Sequence, residues 1–164
     1  MMIALRDAGR SAAGSWLEAA YHDWLTEIGT GRVDAGAARA TLALLLAAED
    51  IDALLIERGG QPIGFAMVRT LSPGSAVAAL PSRGLRRLED FYVLPAVRRR
   101  GVGAAAARLL FDRFDGHWEI VSLQRDVAAT QFWRHVLHRY TAGRVTEQRL
   151  AGAIRYRFAS NGAR

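Results

Sequence analysis

The densest chemistry in this 164-residue chain lies in Arg98-Arg99-Arg100-Gly101-Val102-Gly103-Ala104, which follows the apolar run Phe91-Tyr92-Val93-Leu94-Pro95. A strand-like stretch ends, a short Pro-containing loop follows, and a helical pattern opens at a glycine pair. The first turn of a helix leaves backbone N–H groups without intrahelical partners, and the helix dipole adds positive charge there. An anion such as a pyrophosphate is the natural occupant. Glycines at positions 101 and 103 let the backbone approach phosphate oxygens, and the arginines add charge-assisted donors. The bland alternative is a solvated basic turn before a surface helix. The glycine pair at a strand-to-helix junction weighs against it.

A second motif overlaps the first. Gly101-Val-Gly103-Ala-Ala-Ala106 also fits G-x-G-x-x-G/A, the dinucleotide fingerprint, with Asp126 near the place of its ribose acid. In that motif the glycines follow the strand almost directly, whereas here Leu94 to Arg100 intervene. Too little chain remains after it to complete a doubly wound sheet.

The elements that must hold this turn follow from periodicity. Met2 to Asp7 reads as a strand. Ser11 or Ser15 caps a helix to about Ile28 that carries Trp16, Ala20 and Trp24 at helical spacing. Asp34 caps a second helix through Ala48. Asp52 to Glu57 and Ile63 to Thr70 form a hairpin around Arg58-Gly59-Gly60-Gln61-Pro62. Leu71 to Gly84, with two Pro, two Gly and three Ser, is a loop. Leu85 to Leu94 is a long strand, Gly101 to Phe114 a helix, Trp118 to Leu123 a strand and Val127 to Tyr140 a helix. Thr141 to Glu147 and Gln148 to Phe158 close the pattern as a strand pair, and Ser160 to Arg164 is a frayed tail. The order β-α-α-β-β-β-α-β-α-β-β gives an α/β domain with a mixed sheet. It reads as one domain, residues 1–159.

Composition sets the outer bounds. The chain carries a formal charge of +6, and all 22 of its Lys and Arg positions are arginine. That favours anionic ligands, although genomic base composition produces the same bias. Cysteine is absent, which excludes disulfides and thiolate sites and fits a reducing cytoplasm. No apolar run reaches the length of a membrane span, and Met1 to Arg10 has no signal-peptide core. No metal-ligand spacing is visible.

The segment Phe91 to Ala104 resembles the signature of the GCN5-related N-acetyltransferase (GNAT) superfamily, [Q/R]-x-x-G-x-[G/A] between a central strand and a helix. The resemblance extends to the element order over nearly the whole chain. It implies a mixed sheet splayed between the strand ending near Val93 and the strand Glu119 to Leu123, flanked by helices. It also implies acetyl-CoA as cosubstrate. The pantetheine arm would bond to backbone groups of Phe91 and Val93, and the N–H groups of Arg98, Arg99, Arg100, Gly101, Val102, Gly103 and Ala104 would hold the pyrophosphate. Asp126-Val-Ala-Ala129-Thr-Gln-Phe132-Trp133 is similar to the family's second CoA-contacting segment. Asp126 replaces its usual Asn, and Trp133 the Tyr that often protonates the departing thiolate.

For catalysis, Glu89 and Asp90 are the candidate bases, and strand alternation lets only one face the cleft. Glu89 shares a face with Phe91 and Val93. The alternative for either is an ion pair with Arg86 or Arg87. Tyr92, His135 or water remain as acid. Trp16, Tyr21 and Trp24 are core packing or, for the last two, an aromatic wall for an amine. The expected activity is acetyl transfer to a primary amine of a small molecule or peptide, by a monomer or homodimer. A non-catalytic acyl-CoA-binding module is the alternative. Nucleic acid is not expected, because the arginines are scattered and no groove-reading motif occurs.

Overall fold

The computed structural model describes residues 2–9, 14–29, 31–72 and 84–160. Among these residues seven strands and four α-helices follow one another: β1 Ile3–Asp7, α1 Gly14–Ile28, α2 Ala35–Ala47, β2 Ile51–Arg58, β3 Gln61–Leu71, β4 Leu85–Val93, α3 Val102–Arg113, β5 His117–Leu123, α4 Val127–Thr141, β6 Val145–Leu150 and β7 Ala153–Ala159. The strands form one mixed sheet in the order β1-β2-β3-β4-β5-β7-β6. Helices flank it, as expected from the sequence. By contacts the chain divides into two compact units, Met1–Val68 with Asp90–Gly103 and Arg69–Glu89 with Ala104–Arg164.

In the first unit, β1 and β2 pair antiparallel from Ile3–Arg58 to Asp7–Leu54. The core gathers Leu17, Ala20 and Tyr21 of α1, Ala38 and Leu42 of α2, Leu55 of β2, Phe65 and Met67 of β3, and Tyr92 of β4. Each fully buried large side chain here contributes about 1.5–3 kcal/mol. Asp34 caps α2, its Oδ2 accepting from Ala37 N at 2.7 Å. Ser15 lies inside α1, which begins at Gly14, and so is not its cap. Ser11 falls outside the described residues, as does the loop from 73 to 83.

In the second unit, β4 pairs parallel with β5 at Arg86, Arg87 and Leu88, opposite Trp118, Glu119 and Ile120. The antiparallel β5–β7 ladder runs the full length of both strands, from His117–Ala159 to Leu123–Ala153. Phe111 of α3 sits 5.0 Å from the Trp118 ring, 4.9 Å from Phe158 and 5.1 Å from Tyr140 of α4. Asp126 caps α4, with Oδ1 accepting from Ala129 N at 2.9 Å.

The closing hairpin departs from expectation. Residues 141–144 form the last residue of α4 and the turn that follows it, not a strand. Thr141 is its last residue, Ala142 is left-handed at φ 52° and Gly143 follows at φ 82°, donating to His138 O at 2.8 Å. The strand break falls at Ala151-Gly152, where Gly152 supplies φ 72°, and not between Glu147 and Gln148. The Thr-Ala-Gly stop is a helix C-terminus signal that the apolar alternation of Ile154, Tyr156 and Phe158 masked. Ser160, expected at the start of a frayed tail, is buried. Its N–H donates to Gly116 O and its Oγ accepts from Gly116 N, both at 2.9 Å. Among the described residues no helix is long and apolar enough to cross a membrane.

Candidate functional site

The glycine-arginine turn is built in steps. β4 ends at Val93, and Leu94 N donates to Ile63 O at 2.9 Å. A single 3-10 turn, Pro95–Val97, then reverses the chain, and Arg98 N closes it on Pro95 O at 3.2 Å. Arg99 follows in the left-handed region at φ 65° and Gly101 at φ 75°. The first is uncommon for a residue with a Cβ, and such conformations gather at ligand-binding turns. α3 opens immediately afterwards at Val102.

The position before α3 differs from its counterparts. Asp34 and Asp126 cap α2 and α4 with carboxylates, whereas Gly101 has no side chain with which to cap. Arg99, Arg100 and Gly101 are exposed, and an added Cβ at Gly101 would meet no protein atom within 4 Å. The turn thus presents N–H groups, positive dipole and open space together, which fits a diphosphate. Val102 is buried, and Gly103 and Ala104 are half-buried in the first helical turn.

Arg98 has a different role from its two neighbours. Its Nε donates to Val93 O at 2.8 Å, and Nη1 and Nη2 donate to Glu27 Oε1 and Oε2 at 2.7 Å each. Its guanidinium lies 5.4 Å from the centre of the Tyr92 ring. The side chain therefore serves the scaffold, as does its backbone N–H, which is held by Pro95 O; the expected role of the Arg98 N–H as a pyrophosphate donor does not fit this geometry.

On β4 the alternation holds: Asp90 and Tyr92 are buried, Glu89 and Phe91 half-buried. Glu89 accepts from Arg69 Nε at 2.9 Å, so its ion-pair partner is on β3 and is neither Arg86 nor Arg87. Arg86 donates to Thr70 Oγ1 at 3.0 Å, and Arg87 donates to Glu119 at 2.9 Å. The Asp90 charge acts on Tyr21, whose pKa is pushed up to about 12, first by burial and then by Asp90. Tyr92 packs 5.7 Å from Phe65. Its pKa is raised by burial and by Asp23 and Glu27, with Arg98 opposing. Both phenols hold their protons at neutral pH. Val93 is buried beside Gly64 of β3. A Cβ at Gly64 would overlap the Tyr92 carbonyl oxygen and come within 3.2 Å of Val93 Cα.

The aromatic residues of α1 are core first. Tyr21 is buried, Trp16 and Trp24 are half-buried, and Trp24 lies 5.6 Å from Tyr21 and 6.2 Å from Phe65. In the second unit Asp126 is engaged as the cap of α4. Trp133 lies on the buried face of α4 with Val136 and Leu137, its ring 4.8 Å from Phe132. His135 and His138 face outward with Gln131, Arg134 and Arg139.

Two polar groupings escaped the sequence reading. Ser122 Oγ and Thr130 Oγ1 lie 3.2 Å apart, and Tyr156 OH donates to Thr130 O at 3.3 Å, all buried. Glu119, 1 % exposed, accepts from Arg87 Nε and Arg157 Nε at 2.9 Å each. Burial pushes its pKa up, but the bonds from Arg157 and Arg87 outweigh it and leave the net shift downward. The only sequence signal was the alternation Arg155-Tyr-Arg157-Phe opposite a strand with one acid. Among the described residues no group of acids and histidines is arranged to hold a metal.

The family model described as Acetyltransferase (GNAT) family matches residues 16–138. The fold is similar to that of an acetyltransferase from Thermus thermophilus, at 17% identity and TM-score 0.72, with 97% of each chain covered. It is similar to the aminoglycoside acetyltransferase AAC(6')-Ib in complex with acetyl-CoA, at 15% identity and TM-score 0.69, covering 99% of this chain and 95% of that one. A third likeness is the ribosomal-protein-S18-alanine N-acetyltransferase from Escherichia coli, at 14% identity and TM-score 0.61, covering 97% and 94%. No curated protein matches the chain in sequence. With the family model matched over most of its length and the phosphate-type turn inside the matched range, the chain belongs to the GNAT family of acetyltransferases.

Proposed function

We propose that the protein is an acetyl-CoA-dependent N-acetyltransferase acting on a primary amine of a small molecule or peptide, with residues 1–159 as its functional domain. The observation that carries this reading is the turn before α3. Two exposed left-handed residues, Arg99 and Gly101, lead into the first turn of α3, and Gly101 has no side chain to cap its N–H groups. The pyrophosphate of acetyl-CoA would lie on the backbone of Arg99 to Ala104, with Arg99 and Arg100 supplying charge. Backbone groups of Phe91 and Val93, beyond the three β4 positions that pair with β5, would bind the pantetheine. Asp126, Phe132 and Trp133 would contribute through the fold of α4 rather than through a proton donor.

In the reaction the neutral amine nitrogen attacks the thioester carbonyl, the C–N bond forms and the C–S bond breaks. The acetamide is released with CoA thiol, and the proton lost by the amine balances the one gained by the thiolate. Positioning supplies much of the rate. Glu89, half-exposed and steadied by Arg69, is the preferred acceptor of the amine proton, directly or through water. Asp90, buried near Tyr21, is the second choice. Trp133 has no acidic proton to give, so the thiolate takes its proton from solvent where Glu89 is the base; Tyr92, on the Asp90 face of β4, would serve as acid only with Asp90.

The acceptors after which the similar proteins are named, an aminoglycoside and a ribosomal-protein alanine, frame the acceptor screen. Isothermal titration with acetyl-CoA tests the cosubstrate, and absence of binding at high micromolar concentration would end the proposal. Thiol release across an amine panel, lost in Glu89→Gln, separates an enzyme from a module that merely binds acyl-CoA.

A further inference from the structure

The arginine that opens the phosphate turn is tied to a helix far away in sequence. Glu27, near the C-terminus of α1, receives both terminal nitrogens of Arg98 at 2.7 Å, a bidentate pair spanning 71 positions. The same guanidinium donates through Nε to Val93 O and covers the Tyr92 ring. An exposed ion pair alone contributes little. This one is two-pronged, has a backbone acceptor on a third nitrogen and rests on a ring, so its geometry is set from several sides.

What it fixes matters because of what comes next. Arg99 stands at φ 65°, a conformation that persists only where its surroundings over-determine it. On its N-terminal side the determinants are the bond from Arg98 N to Pro95 O and the anchored Arg98 side chain. α1 in turn carries Tyr21 and Trp24, packed with Phe65, so the clamp joins that aromatic group to the turn.

We propose that Arg98 is a positioning residue. Through Glu27, Val93 and Tyr92 it holds the entry of the phosphate-binding turn, and it thereby couples occupancy of that turn to helix α1. The inference rests on the reading of the turn as the CoA pyrophosphate site. If Arg98 were instead a phosphate ligand, Glu27 would compete with CoA for it, and the two ideas predict opposite effects of removing the Glu27 charge.

The test compares the unmutated chain with Glu27→Gln, Arg98→Ala and the double variant. Three readouts are taken: CoA affinity by titration, thermal midpoint, and hydrogen exchange of residues 14–28 with and without CoA. Both side chains are more than a third exposed, so the variants should fold, and the thermal midpoint checks it. Positioning predicts about tenfold weaker CoA binding in each single variant and no further loss in the double. It also predicts that CoA protects α1 amides only in the unmutated chain. A purely structural ion pair would lower the midpoint and leave affinity and α1 protection unchanged, which would overturn the inference. Glu27→Gln binding CoA as tightly as the unmutated chain, or more tightly, would overturn it as well. If the unmutated chain fails to bind CoA, the cosubstrate reading falls and takes this inference with it. If it binds and the variants match it, only the inference falls.

Discussion

Replacing Gly101 with alanine separates the conformational role of the turn from its ligand role. At φ 75° a Cβ is disfavoured, by about 1–2 kcal/mol for an L-residue in the left-handed region. No steric cost adds to this, because nothing in the protein lies within 4 Å of the new methyl. For a chain of this size, that corresponds to a fall in thermal midpoint of about 2–8 °C. The methyl would enter the space assigned to the pyrophosphate. Losing one charge-assisted bond to it, worth about 1.5–3 kcal/mol, weakens CoA binding by about ten- to a hundredfold. Gly143 provides the control. It sits at φ 82°, also with nothing within 4 Å of an added Cβ, after α4. Gly143→Ala should show a similar fall in midpoint and unchanged CoA affinity. Thermal unfolding and calorimetric titration on both variants give the answer. Equal CoA affinity in Gly101→Ala and Gly143→Ala would refute the assignment of the turn, whatever the midpoints do.

The other predictions concern the frame around the site. Gly64→Ala puts a Cβ into the Tyr92 carbonyl, and β3 and β4 must shift; urea unfolding should show a loss of about 3 kcal/mol, against about half that for Gly101→Ala. Glu119→Gln removes the carboxylate that faces Arg87, Arg155 and Arg157. Taking one partner from a buried pair costs about 3 kcal/mol, the low end because the arginines keep part of their surface in water. The same carboxylate makes stability depend on pH. Its folded pKa lies below the unfolded value, so its contribution is complete above about pH 4.5 and is lost as pH falls through the folded pKa. Unfolding midpoints measured from pH 6 down to pH 3 should fall less steeply in Glu119→Gln than in the unmutated chain. Parallel curves would show that Glu119 does not carry the acid dependence.

The sequence was most legible where one local rule decided the outcome. Asp34 read as a helix cap, and it caps α2; Asp126, read as a cofactor-contacting position, proves to cap α4. Gly101 read as the mouth of a helix, and α3 starts one residue later. The hairpin at the C-terminus was misplaced because two local signals competed, the stop at Thr141-Ala142-Gly143 and the alternation of β7. Partners of charged side chains were not legible at all. Glu89 has arginines two and three residues away, yet its ion pair goes to Arg69 across the β3 strand. Glu27 and Arg98 meet although α2 and three strands lie between them in sequence. Sequence distance cannot encode such contacts, since they depend on which faces the strands turn toward one another.

Part of the arginine content is engaged within the structure. Composition alone suggests a general attraction for anions, yet several of the arginines are tied to carboxylates. Arg6 pairs with Glu57, Arg69 with Glu89, Arg87 and Arg157 with Glu119, Arg98 with Glu27 and Arg134 with Glu147. Among the described residues no carboxylate lies within ion-pair distance of Arg99 or Arg100, and both are exposed on the turn that opens α3. A net charge spread over the surface would draw any polyanion and lose most of its reach within a Debye length of about 8 Å in physiological salt. Under the proposed reading, two guanidinium groups beside the first N–H groups of one helix would suit a compact diphosphate better than an extended strand of nucleic acid. The local arrangement, and not the total of +6, is the physical argument for that proposal.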